Sequence, residues 1–101
     1  MAGNKIELWG RMMGEPELRT TPTGTSVLRI TIEGPGDMGT PVVMTGERTL
    51  RLRTALKSGA EIRVKGSLKA VRRRLKSGLI ETGYEVAADS IEIEEGAPQV
   101  N

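Results

Sequence analysis

Apolar residues recur at every second position in four separate segments of this chain, a period that belongs to half-buried strands rather than helices. In residues 4–13, Ile6 and Leu8 share one face, while Lys5, Glu7, Trp9 and Arg11 share the other. In residues 25–33, Leu28, Ile30 and Ile32 alternate with Val27, Arg29, Thr31 and Glu33. In residues 60–69, Ile62, Val64, Gly66 and Leu68 alternate with Glu61, Arg63, Lys65, Ser67 and Lys69. The last segment runs from Tyr84 to Glu94. There Tyr84, Val86 and Ala88 share a face, which places Tyr84 in the core or at its edge. Ile91 and Ile93 have the opposite parity, and one extra residue at Asp89–Ser90, a β-bulge, restores a single apolar face.

Between these segments lie the breakers. "EPELRTTPTGTSV", Glu15 to Val27, reads as a turn-rich connection between the first two strands, with Leu18 as its apolar anchor. "TPVVMT", Thr40 to Thr45, is a short third strand, and Pro41 suits its opening. Residues 46–58 are the one helix candidate: Leu52 and Leu56 stand at i, i+4, and Gly59 can end the helix. "KSGLIETG" reads as the tip of a hairpin joining the fourth and fifth strands. "GPGDMG" matches G-x-G-x-x-G, but a strand follows it and Pro35 removes an amide, so it reads as a loop and not a phosphate cradle. Three strands, a short helix and two further strands is the layout of an all-β, five-stranded OB-fold Greek-key barrel with its helix between strands three and four. That domain is expected over residues 1–95, with 96–101 a short flexible tail.

Composition narrows the chemistry. Only 37% of the residues are hydrophobic and none is Phe, so the core must be aliphatic, and a homodimer would bury more of it. There is no Cys and no His, which removes thiol nucleophiles, imidazole bases and the usual zinc ligands. Glu92 and Glu94 fall on the outer face of the last strand, where solvated charge is the default. The expectation is a non-catalytic protein without metal or cofactor. No apolar run approaches the ~20 residues of a membrane span. The opening "MAGNKIELW" has no signal-peptide core, so a cytoplasmic protein is expected.

The net charge is only +2, but the cations are clustered. "LKAVRRRLK", Leu68 to Lys76, carries Lys69, Arg72, Arg73, Arg74 and Lys76 with no anion among them. Like charges so close repel one another, and a bound polyanion relieves that repulsion. OB folds bind oligonucleotides on the face of strands two and three and with the loops flanking it. The cluster falls at the end of the fourth strand and in the loop after it, so these five residues are the leading nucleic-acid candidates. Arg63 and Lys65 lead toward them on the outer face, Arg29 is outward on the second strand, and Arg19 lies in the first connection. Trp9, outward among cations, suits either a subunit interface or base stacking. A protein-interaction module docking on an acidic partner, and a short single-strand binder of DNA or RNA, are the alternative classes.

"NKIELWGRMMGEPELRTTPTGTSV" resembles the opening of bacterial single-stranded DNA-binding proteins: a strand, a glycine, then Pro-Glu-Leu-Arg and Thr-Pro-x-Gly. "KSGAEIRVKGSL" resembles their fourth strand and "YEVAADSIEI" their fifth, so the similarity covers roughly residues 4–94. Within that family, "PVVMTGERTLRLRTALKSGAEIRVKGSL" looks like the primosomal replication protein N branch, and the ending at Asn101 fits that short form. The resemblance implies a homodimer that binds single-stranded DNA in replication restart, with contacts to a primosomal helicase and other replication proteins. It also implies that Lys69, Arg72, Arg73, Arg74 and Lys76 hold the DNA. The chain departs from the family pattern in lacking aromatics on its third strand and at the end of its fourth.

Overall fold

The computed structural model describes residues 4–33 and 39–94. Its elements are β1 (Ile6–Thr20), β2 (Ser26–Glu33), β3 (Gly39–Thr45), α1 (Arg48–Ala55), β4 (Glu61–Arg74) and β5 (Ile80–Ile93). The order is the expected one and is consistent with an OB fold. The sheet closes on itself in the order β1-β2-β3-β5-β4. All neighbours are antiparallel except β3 and β5, which meet in parallel at Val42–Val86 and Val43–Ala87. Of the "GPGDMG" loop, residues 34–38 lie outside the described residues, as does the expected tail, and Gly39 opens β3.

The alternating apolar residues meet inside. Leu28, Ile30 and Ile32 of β2, Val42 and Met44 of β3, Ile62 and Val64 of β4, and Val86 and Ile91 of β5 are buried, joined by Met12 and Leu56. The core is aliphatic, as the absence of Phe requires. The bulge expected in the last strand is present. Lys65 pairs with Ser90 and Gly66 with Ala88, so Asp89 is the extra residue, and the two halves of β5 thereby keep their apolar side chains on one face.

Two expected connections are partly strand. β1 continues to Thr20, so "EPELR" belongs to it and the turn shrinks to Thr21–Thr25. The turn is held by Thr21 N–H on the Thr25 carbonyl at 2.8 Å and Gly24 N–H on the Thr21 carbonyl at 2.9 Å. The β1–β2 ladder breaks between Met13 and Glu17, so that Gly14, Glu15 and Pro16 together oppose Ile30. Gly14, at φ 68°, takes the left-handed conformation that such a bulge calls for. Pro16, which has no N–H, falls where the ladder is already interrupted.

The second is the β4–β5 hairpin, whose pairing runs from Ile62–Ile93 to Arg74–Ile80. The basic residues Lys69 and Arg72–Arg74 therefore stand on β4, and only Lys76 lies in the loop, Leu75–Leu79. β1 pairs with β4 only as far as Gly66. Beyond it the Asn4 side chain takes the next rung, accepting from Leu68 N–H at 2.6 Å and donating to the Leu68 carbonyl at 3.3 Å. Past Leu68 and Val86 the hairpin leaves the barrel as an arm.

The helix is shorter than 46–58. Leu56 is buried but already extended, and it ends α1 by donating its N–H to the Leu52 carbonyl at 2.8 Å. The entry is fixed by buried Thr49, whose hydroxyl donates to the Gly46 carbonyl at 2.6 Å.

Candidate nucleic-acid interface

The outer residues of β2 and β3 form the floor of a groove of about 500 Å³. Val27, Arg29 and Val43 line it, Glu17 and Arg19 from the end of β1 form one rim, and Arg73 and Glu85 of the arm form the other. A smaller hollow of about 60 Å³ continues it between Pro41 of β3 and the arm, where Val71, Arg73 and the run Gly83–Glu85 meet Arg29. The arm thus leans over the face that OB folds use for oligonucleotides. The long β4 produces this arrangement. Alternation continues past the barrel end, so odd-numbered Lys69, Val71 and Arg73 stay on the outer face with Arg63 and Lys65.

The groove carries both signs of charge, three arginines against two glutamates. Arg29 Nη1 lies 3.8 Å from Glu85 Oε1. On the arm, Lys69 sits opposite Glu85, and Arg73 opposite Glu81. Opposite charges in such positions support a ladder by a fraction of a kcal/mol to about 1 kcal/mol. Arg72 and Arg74 are different: they sit opposite Thr82 and Ile80, and both are exposed. Arg19, Lys69, Arg72, Arg73, Arg74 and Lys76 have no ion pair within 4.0 Å to a described carboxylate, and all six are exposed.

Arg63, Lys65 and Trp9 are not part of this site. They occupy the outer wall where β1 pairs with β4, and they line neither the groove nor the hollow. Lys65 Nζ is 3.9 Å from Glu7 Oε2. Arg63 lies 5.3 Å from the centroid of the Trp9 ring. Its Nε is 3.2 Å from Glu94 Oε1, close enough for an ion pair but not aligned as a hydrogen bond. A cation over a ring at an exposed site is worth about 0.5–1 kcal/mol. Arg63 therefore already occupies one side of the Trp9 ring, which itself is 59% exposed.

Tyr84, expected in the core or at its edge, is instead 62% exposed. Its parity is that of buried Val86, but it lies on the arm, beyond the end of the barrel. The acidic groove residues Glu17 and Glu85 carry no motif that marks them as groove residues in the sequence. Strand alternation does place Glu85 on the outer face, but its approach to Arg29 depends on how the arm curls over β2. Among the described residues, no group of three or more His, Cys, Asp or Glu is placed to hold a metal. No helix among them is long and apolar enough to cross a membrane.

The model of the single-strand binding protein family matches residues 3–94. No curated protein sequence matches the chain significantly.

Proposed function

The chain belongs to the single-strand binding protein family, and from that premise we propose that it is a non-catalytic single-stranded DNA binder that grips the strand with the basic β4–β5 arm. The observation that supports this most is the set Lys69, Arg72, Arg73, Arg74 and Lys76, gathered on one protruding arm, exposed and without an ion pair to a described carboxylate. Arg19 and Arg29 extend the cationic surface into the groove. The third strand has no aromatic, so phosphate contacts carry most of the affinity, and binding is sequence-tolerant and salt-sensitive.

We place the protein in replication restart as a homodimer working with a primosomal helicase. The residue-level support for a dimer is the first half of β1. Residues 6–11 pair with β4 on one side, and pairing with β2 begins only at Met12. Among the described residues, nothing pairs with the other edge of residues 6–11, beside exposed Trp9, and such an edge invites pairing with another chain.

Titration of labelled single-stranded DNA, matched RNA and duplex DNA at two salt concentrations tests the binding reading. The DNA strand is expected to bind tightest. Preference for RNA would reassign the ligand, and absence of single-strand binding near physiological salt would favour a protein-docking module.

A further inference from the structure

The arm has two faces, and they differ in charge. Lys69 and Arg73 on the outer face stand opposite Glu85 and Glu81. That face is also partly covered, since Val71, Gly83 and Glu85 are only half-exposed as it folds back toward β2 and β3. The other face continues the barrel's inner parity beyond the core. It carries Leu68, Ala70, Arg72 and Arg74 from β4, opposite Val86, Tyr84, Thr82 and Ile80 from β5. From Ala70 to Arg74 and from Ile80 to Tyr84 every residue of this face is exposed, and it holds cations with no anion.

At its centre the Tyr84 ring stands opposite Ala70, the smallest side chain of the face, with Arg72 as its diagonal neighbour. Diagonal neighbours across a ladder are within reach of long side chains. A planar ring at 62% exposure beside guanidinium groups with no ion pair to a described carboxylate fits a ligand that is anionic and also carries flat apolar surfaces. Single-stranded nucleic acid has both properties in every unit, whereas an acidic peptide presents a flat surface only where it also carries an aromatic residue.

We propose that this face of the arm is a base-binding surface: Tyr84 stacks on a base of the single strand while Arg72 and Arg74 hold the flanking phosphates. The proposal rests on the single-strand binding reading above and adds where the bases lie. It places aromatic contact on β5, although β3 has none.

The test compares oligo(dT) with an abasic oligonucleotide of the same length. Tyr84→Leu is expected to weaken oligo(dT) binding roughly 5- to 100-fold, the range of one lost stack. It should leave abasic binding within about twofold and the salt slope unchanged, because no phosphate contact is removed. Tyr84→Phe should bind as the wild type does. Arg72→Ala and Arg74→Ala should each flatten the log–log salt slope by about 0.7, and Arg73→Ala, opposite Glu81, by less.

One readout needs no substitution. The chain has one Tyr, one Trp and no Phe or His, so the Tyr84 ring protons are assignable by elimination. They should shift upfield with oligo(dT) and not with the abasic strand. Unchanged Tyr84 ring signals, or Tyr84→Leu binding oligo(dT) like the wild type, would overturn the stacking surface while leaving the parent reading intact. Polyglutamate competing as well as oligo(dT) would overturn it in favour of plain polyanion binding. Failure of the wild type to bind either oligonucleotide would overturn the parent reading and this one with it.

Discussion

Gly66 has no space for a side chain, because a Cβ there would fall on the carbonyl oxygen and carbon of Ala87 across the β4–β5 ladder. The close approach occurs beside the Asp89 bulge, where the register of the two strands shifts. The obstacle is backbone, so Gly66→Ala must push the strands apart. The expected cost is about 2 kcal/mol or more, which lowers the melting temperature by roughly 8–16 °C for a domain of this size. Leu28 is fully buried in the same core, and Leu28→Ala is expected to cost about 3 kcal/mol by denaturant unfolding. Both the strand parity and the bulge were readable in residues such as Val86, Ala88 and Ile91. Tyr84 was not, because its parity is that of the core and only the length of the barrel decides that it lies outside.

The β4–β5 arm decides where the basic residues go, and its exit from the barrel is marked by Asn4. That side chain imitates a strand rung at Leu68 with both its carbonyl and its amide. Asn4→Ala is expected to speed hydrogen exchange of the Leu68 amide and to leave Val64, further inside the ladder, unchanged. The lost bonds are at an exposed site, so the global cost should stay near 0.5–1.5 kcal/mol. Equal acceleration at both amides would mean that the arm and barrel open together. Two elements proved longer than the sequence suggested, for related reasons. The prolines and glycines in "GEPELRTTPTG" mark a bulge at Gly14–Pro16 and a tight turn at Gly24, and the strand persists between them. The clean alternation stops at Lys69, so the sequence divides "LKAVRRRLK" between the end of the fourth strand and the loop after it. In an arm exposed on one face, alternation of burial is no longer required, and the ladder with β5 alone keeps these residues extended.

Across the molecule, the two cationic surfaces differ in whether their charges are paired. The barrel wall near Trp9 pairs its cations with Glu7, Glu61 and Glu94, whereas the arm's cations form no ion pair within 4.0 Å to a described carboxylate. A sequence shows that Lys69–Lys76 is basic, but not that Arg73 faces Glu81 while Arg72 and Arg74 face none, since that division depends on the hairpin register. The edge of β1 at residues 6–11, which no described strand beyond β4 covers, belongs to the same scale. Sedimentation velocity is expected to give a dimer of the 10.9 kDa chain, and a monomer at micromolar concentration would remove β1 as a subunit interface. The central claim, that the arm's cations meet the phosphates of a single strand, is tested most directly by the salt dependence of binding. For five phosphate contacts the log–log slope should be about −3 to −4 per protomer, and Arg72, Arg73 and Arg74 changed together to Ala should bring it to about −1.5. An affinity and slope unchanged by the triple substitution would contradict the account.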